Sequence, residues 1–187
     1  MSTDGMPTDS TRTDVTARTR AALTDPERLR DVAAIDLDHP ELRRRLDEIA
    51  ARTRHRLGLE VGLVTVVLDS AQLVVGSAGL EGWIAQTGGT PAEWAFCAQL
   101  VGTGRPYVVE DASGDDLQKD NPLVTIDGVR SYLGVPLVSE AGHVVGGHCV
   151  LTFQPRHYTD ADLAELTEAA QEIDGVIADY RRTLATG

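Results

Sequence analysis

The sequence has few of the residues on which several large classes of protein depend. Only two of its 187 residues are cysteines, at positions 97 and 149, and only 4% are aromatic. Two cysteines are too few for a disulfide framework or a four-cysteine zinc site, and they suit a reducing compartment. No apolar run approaches the roughly 18 residues that a membrane-spanning helix needs. The first 20 residues contain no apolar stretch typical of a signal peptide. The sequence therefore predicts a cytoplasmic protein that contacts no membrane.

Basic charge is also scarce. The 17 Lys and Arg residues, of which one is Lys, face 29 acidic residues, and the formal net charge is −12. Nucleic-acid binding needs basic groups against phosphates and rings against bases. The composition thus argues against a nucleic-acid partner. The excess of Arg over Lys suggests a bacterial genome of high GC content.

The N-terminal third divides into an arm and two helices. Residues 1–23 are rich in Thr, Asp and Arg and lack hydrophobic periodicity, which predicts a disordered arm. Two later segments each combine a capping side chain, a proline and a carboxylate, which is typical of a helix start. These segments, Thr24–Glu27 and Asp38–Glu41, predict N-terminal helices within residues 24–58.

The remaining chain, residues 59–184, is predicted to be the main domain. Its apolar segments are joined by short turns, which indicates hairpins and an antiparallel sheet. The first of them is apolar on both faces, so the sheet should be a middle layer. Helices before and after these strands predict an α+β fold. The predicted strands are 61–68, 72–77, 107–109, 132–138 and 144–153, with a loop over 79–89 and a helix over 91–103.

Two further features of the sequence are an acidic loop and a C-terminal helix with a regular apolar stripe. Residues 110–127 hold six acids against one Lys, and a loop of this length is usually functional or disordered. The last helix, from Thr159 to about Leu184, carries apolar residues spaced as a heptad seam, which favours a dimer or packing on its own sheet. This helix is acidic, whereas residues 41–57 are basic, so their charges would help to align them on one side of the sheet.

The chain offers no self-sufficient catalytic set. It contains no glycine-rich phosphate loop, no Gly-x-Ser-x-Gly elbow and no Cys-x-x-Cys pair. Cys97 falls on the same predicted helical stripe as Trp94 and Val101, which favours a buried apolar residue over a reactive thiol. His148 and Cys149 are consecutive in a strand and point to opposite faces, so they do not share a metal. His148 is interpreted as a core or pocket residue.

Several motifs, taken in order, resemble a GAF domain. They are Phe96-Cys-Ala98, Asp120-Asn-Pro-Leu-Val124 and the strand Gly128-Val-Arg-Ser-Tyr-Leu-Gly-Val-Pro-Leu137, and the resemblance covers about residues 25–180. It implies an antiparallel sheet of five or six strands with the terminal helices on one face. A ligand pocket is implied on the other face, under the 91–103 helix and the 110–130 loop. The Asn-Lys-Xaa-Phe-Asp-Glu signature of cyclic-nucleotide binders is absent.

The resemblance implies a non-enzymatic sensor of an unidentified small molecule in cytoplasmic signal transduction. Ligand occupancy would pass through the terminal helices to a separate signalling protein, and the chain is expected to be a homodimer. No cofactor, metal ligand or catalytic residue is assigned. The residues predicted to bind the ligand are Trp83, Phe96, Asp111, Asn121, Arg130 and Tyr132.

Two alternatives stay open at this point. One is a thiol-based redox sensor, or an enzyme like the methionine sulfoxide reductases, that uses Cys97 and Cys149. The other is a dimerisation scaffold whose pocket is vestigial. The first requires the two thiols to meet, and the second requires the heptad seam to face a second chain.

Overall fold

The computed structural model describes residues 9–185, and the side chains of residues 12–181. Within this range the chain forms seven α-helices and six β-strands. The helices are α1 (Asp9–Leu23), α2 (Pro26–Ala33), α3 (Pro40–Leu57), α4 (Gly82–Thr87), α5 (Ala98–Thr103), α6 (Pro122–Thr125) and α7 (Asp160–Ala185). The strands are β1 (Val61–Val67), β2 (Ala71–Ala78), β3 (Gly89–Pro91), β4 (Tyr107–Val109), β5 (Ser131–Val138) and β6 (Val144–Thr152). None of the helices within residues 9–185 is both long and apolar enough to cross a bilayer.

All six strands belong to one sheet, in the order β3-β2-β1-β6-β5-β4, and every neighbouring pair is antiparallel. The hairpins β1–β2 and β5–β6 lie side by side because β1 pairs with β6, with Leu63 opposite Cys149 and Val64 opposite His148. The two central strands are buried on both faces along most of their length. The predicted α+β fold with a central antiparallel sheet is confirmed.

One face of the sheet is covered by α2, α3 and α7. Leu46 and Ile49 of α3 and Ile173 of α7 are buried there against the strands. The helices α3 and α7 also form two ion pairs, Arg52 with Glu172 and Arg56 with Glu165. The predicted charge alignment is present, and the apolar seam of α7 packs on its own sheet.

The opposite face carries a second apolar core under α4, α5 and the segment that contains α6. The predicted helix over 91–103 is divided, because Ala95 is extended (φ −75°, ψ 116°) between a 3₁₀ turn at Ala92–Trp94 and α5. The predicted loop over 79–89 contains the short helix α4 instead.

The prediction of a disordered arm over residues 1–23 was wrong from Asp9 onward, where α1 begins; residues 1–8 lie outside the described range. This helix packs against α5, and the contact is close at Gly102, where a β-carbon would lie 2.3 Å from the Thr19 hydroxyl oxygen. The side chains of Thr19 and Leu23 are buried. Because α1 buries so few apolar side chains, its sequence shows little hydrophobic periodicity, which explains why the helix was not predicted.

A buried guanidinium holds the N-terminal helices to the sheet. Arg28 of α2 is 3% exposed. It donates hydrogen bonds to the carbonyls of Ala22 (3.0 Å), Leu23 (2.8 Å) and Val67 (2.7 Å). One side chain thus joins the end of α1, the start of α2 and the end of β1.

Candidate functional site

A cavity of about 220 Å³ lies between the sheet and the elements that cover its second face. Strands β1, β2, β5 and β6 supply its floor, and α4, the residues before α5 and the 123–129 segment supply its walls. Such a volume is comparable to engineered apolar cavities of roughly 150 Å³ that hold a benzene ring. The apolar lining residues are Val61, Leu63, Val74, Leu80, Ile84, Phe96, Leu123, Val129, Leu151 and Phe153.

Polar groups on the cavity wall are few. Gln72 of β2 is 6% exposed, and its amide nitrogen lies 3.5 Å from the Thr90 hydroxyl. Its Oε1 is the single buried side-chain oxygen or nitrogen without a hydrogen-bond partner among the residues that the structure describes. Among those same residues the charged groups on the wall are the carboxylates of Glu81 and Asp127, with no Lys or Arg. The site therefore disfavours anions and presents one unused polar group.

A contact between α4 and the acidic segment 110–127 forms part of the cavity wall. Trp83 of α4 donates its indole N–H to Asp127 Oδ1 over 2.8 Å. The same ring packs edge-on against Trp94, with centroids 6.1 Å apart. Trp83 is 36% exposed, so this contact lies at the protein surface.

The floor contains two thiols and a phenol in contact. Cys97 Sγ lies 3.8 Å from Cys149 Sγ and 3.1 Å from the Tyr132 hydroxyl oxygen, and both cysteines are 1% exposed. The hydrogen bond with Cys149 lowers the pKa of the Cys97 thiol, whereas the same bond together with burial raises the pKa of Cys149. Burial also raises the pKa of Tyr132 well above its ordinary value. The thiols differ in acidity although they share one environment.

This arrangement depends on a residue without a side chain. A β-carbon at Gly147 of β6 would lie 2.4 Å from Leu100 Cδ1 and 3.3 Å from Cys97 Sγ. Gly147 and Cys149 are two positions apart and face the same side of the strand. The glycine lets α5 approach the sheet closely enough for Cys97 to reach Cys149.

His148 is not part of the cavity. Its Nδ1 lies 2.9 Å from the Leu63 carbonyl oxygen and its Nε2 lies 3.1 Å from Thr53 Oγ1 of α3, on the helix-covered face. Burial lowers its pKa to about 4, so the ring is neutral and donates from Nδ1 to the carbonyl. Over the described range no three His, Cys, Asp or Glu side chains are grouped as metal ligands. His148 is a core residue, as predicted.

The structure places three of the six predicted ligand-binding residues, Trp83, Phe96 and Tyr132, on the cavity wall. The other three, Asp111, Asn121 and Arg130, lie off it.

These last three have partners of their own in the covering loop. Asp111 accepts from the Ser113 backbone and hydroxyl, Asn121 caps α6 and donates to the Trp94 carbonyl, and Arg130 donates to two carbonyls of residues 124 and 129. Their side chains are thus bonded to neighbouring backbone and side-chain groups and do not line the cavity.

Gln72 and Asp127, which line the cavity, were not predicted as site residues. Gln72 is a polar residue within an apolar strand, and this break in the pattern is a signal that could have identified it. The pairing of Cys97 with Cys149 had no local signal, since 52 positions separate them.

Comparison with known proteins agrees with this architecture. The GAF domain model matches residues 41–177, and the chain belongs to the GAF domain family. The cyclic di-GMP phosphodiesterase PA2567 of Pseudomonas aeruginosa is 30% identical over 139 residues, which are 73% of this chain and 23% of that protein. The chain thus spans about a quarter of the length of that relative.

Solved structures share the fold. The GAF domain of a phosphoenolpyruvate-protein phosphotransferase from Coxiella burnetii has a TM-score of 0.65 and 16% identity, over 93% of this chain and 98% of that one. The free methionine-R-sulfoxide reductase of Neisseria meningitidis, solved with its substrate, has a TM-score of 0.63 and 16% identity, over 98% of both chains. At these identities the likeness establishes the fold alone.

Proposed function

We propose that this chain is a sensory GAF module that binds a small, uncharged and largely apolar molecule in the cavity. The observation that carries the proposal is the cavity itself: about 220 Å³ of space, lined mainly by apolar groups and bordered by the unpartnered amide oxygen of Gln72. Protein interiors are normally packed without such spaces, and an apolar lining of this kind favours an apolar occupant.

The charges of the wall support the ligand class. Glu81 and Asp127 would repel a carboxylate or phosphate, and no described residue of the wall offers a cation. A one- or two-ring molecule with a single hydroxyl or amide fits both the volume and the amide of Gln72.

A path to the helices supports signalling. An occupant touches Cys149 and Tyr132, whose strand neighbours His148 and Leu133 are buried on the helix-covered face. His148 is hydrogen-bonded to α3, so a shift of β6 reaches that helix directly. The ligand changes the helices only insofar as it binds the two states unequally. We propose that a separate cytoplasmic protein, or a second copy of this chain, senses this shift, without chemistry in the module.

Native mass spectrometry of freshly purified protein tests occupancy. We expect a non-covalent adduct of low mass that Val74→Phe, which projects a ring into the cavity, abolishes. Val108→Phe is the matched control, because Val108 is exposed on β4 and lies outside the wall. Loss of the adduct in both folded variants, or its retention in Val74→Phe, would contradict the proposal.

Hydrogen exchange tests the transmission. Amides of α3 and α7 should exchange at different rates with and without the occupant, and light scattering of both forms shows whether association changes. Identical exchange in these helices would leave the cavity as a binding site and refute the sensory role.

A further inference from the structure

The two thiols are the strongest group of reactive side chains outside the sensory role. They are the only cysteines of the chain, and their sulfurs are 3.8 Å apart. A disulfide needs about 2.05 Å between sulfurs. Closing the gap requires the two sulfurs to approach by roughly 2 Å, and Gly147, which has no side chain, leaves Cys97 within reach of β6.

Access comes from the cavity, since both cysteines line it although neither reaches the outer surface. Trp83 and Phe153, both partly exposed, stand where the wall meets solvent. A space of about 220 Å³ admits molecules the size of water or a peroxide. Large reductants and proteins are excluded from it.

We propose that Cys97 and Cys149 form a reversible intramolecular disulfide in the cavity floor when a small peroxide enters. Hydrogen bonds from neighbouring groups favour the thiolate at Cys97 over that at Cys149, which assigns the attacking sulfur. The Tyr132 hydroxyl, 3.1 Å away, is placed to donate to it.

The Cys97 thiolate attacks one peroxide oxygen, the O–O bond breaks, and the released hydroxide takes the proton that Cys97 gave up, leaving a sulfenic acid and one water. The Cys149 sulfur then attacks the Cys97 sulfur, the S–O bond breaks, and the hydroxyl leaves with the Cys149 proton as a second water. Two thiols and one hydrogen peroxide thus become one disulfide and two waters, with two electrons passing to the peroxide.

Hydrogen peroxide and intact mass measurement test the proposal on the full chain. We expect native protein to lose the mass of two hydrogens, a change that dithiothreitol reverses, at least ten times faster than the same protein unfolded in urea. The Cys149→Ala variant should stop at the sulfenic acid and form a dimedone adduct at residue 97. The Cys97→Ala variant should stay unmodified under the same exposure.

Several results would overturn it. They are two free thiols persisting in the native protein, a bridge between two chains in place of the internal one, and oxidation of Cys97 to the sulfinic acid with Cys149 present. Should the alanine variants fail to fold, the comparison of native with urea-unfolded wild type decides alone. None of these readouts requires a ligand, so this inference and the sensory function fail independently.

Discussion

His148 and Cys149 are consecutive residues of β6 that serve opposite sides of the sheet. The imidazole lies 3.1 Å from Thr53 of α3, while the thiol lies 3.8 Å from Cys97 beneath the cavity. Strand geometry places successive side chains on alternate faces, so a displacement of this one strand is felt on both.

The neutral imidazole of His148 makes stability depend on pH. Its pKa is lowered to about 4 in the folded protein, by burial above all, against about 6.5 in an unfolded chain. As pH falls below 6.5 the unfolded chain binds a proton that the folded protein refuses, so the free energy of unfolding decreases until about pH 4. At about 1.4 kcal/mol per pKa unit the loss approaches 3 kcal/mol.

Two measurements check this expectation. NMR should show the His148 ring neutral at pH 5.5, and urea unfolding should give a wild-type stability that falls more steeply between pH 7 and 5 than that of His148→Gln. An imidazole that titrates near pH 6.5 in the folded protein would contradict the prediction.

Replacing Gln72 with Met should stabilise the empty protein. The substitution keeps the length of the side chain and removes a buried oxygen that has no partner among the described residues. An unpaired buried polar atom costs about 1–3 kcal/mol, so we expect a gain of about 1 kcal/mol in urea unfolding. Gln118→Met is the matched control: Gln118 is equally buried, but its amide is bonded to Tyr107 and Asn121. That variant should lose about 1–2 kcal/mol, and equal effects at both positions would be evidence against this explanation.

Arg28 should be among the most sensitive positions of the N-terminal segment. Arg28→Met removes the hydrogen bonds that the guanidinium donates to the carbonyls of Ala22, Leu23 and Val67, and we expect a loss of about 1.5–3 kcal/mol because these bonds come from a charged group. Arg28→Lys keeps the positive charge but lacks the planar guanidinium, so its free energy of unfolding should lie between those of wild type and Arg28→Met. Urea unfolding measures both, and a Met variant as stable as wild type would be incompatible with this role.

Two glycine-to-alanine substitutions should act in opposite directions. A β-carbon at Gly102 would lie 2.8 Å from the Thr19 Cα, so Gly102→Ala pushes α1 away from α5 and should cost about 1–3 kcal/mol. Gly175 of α7 has open space at the same atom, and alanine there should add up to about 1 kcal/mol through helix propensity. Thermal unfolding should show a lower melting temperature for Gly102→Ala and a higher one for Gly175→Ala. Faster proteolysis of α1 in Gly102→Ala would indicate that this helix has detached from α5. A neutral Gly102→Ala would show that α1 does not depend on this contact.

The elements that could be predicted from the sequence are those in which one physical rule acts over many residues. The two hairpins and α7 follow from sustained apolar patterns and from the reciprocal cap of Thr159 and Asp162, which the structure contains. The lining of the cavity was half predicted, because large rings such as Phe96 and Tyr132 belong to an apolar face whatever its details. The predicted polar residues do not line the cavity. Asn121 and Arg130 instead form hydrogen bonds with backbone groups, and no local sequence pattern separates that role from ligand binding.

The close contact of α1 with α5 has a consequence for how a molecule gets in. Because α5 packs closely on the sheet at Gly147 and on α1 at Gly102, close contacts cover that side of the cavity. The helix α4 has no buried residue, and its Trp83 is hydrogen-bonded to Asp127 on the cavity wall. We therefore expect a molecule to enter the cavity on the α4 side.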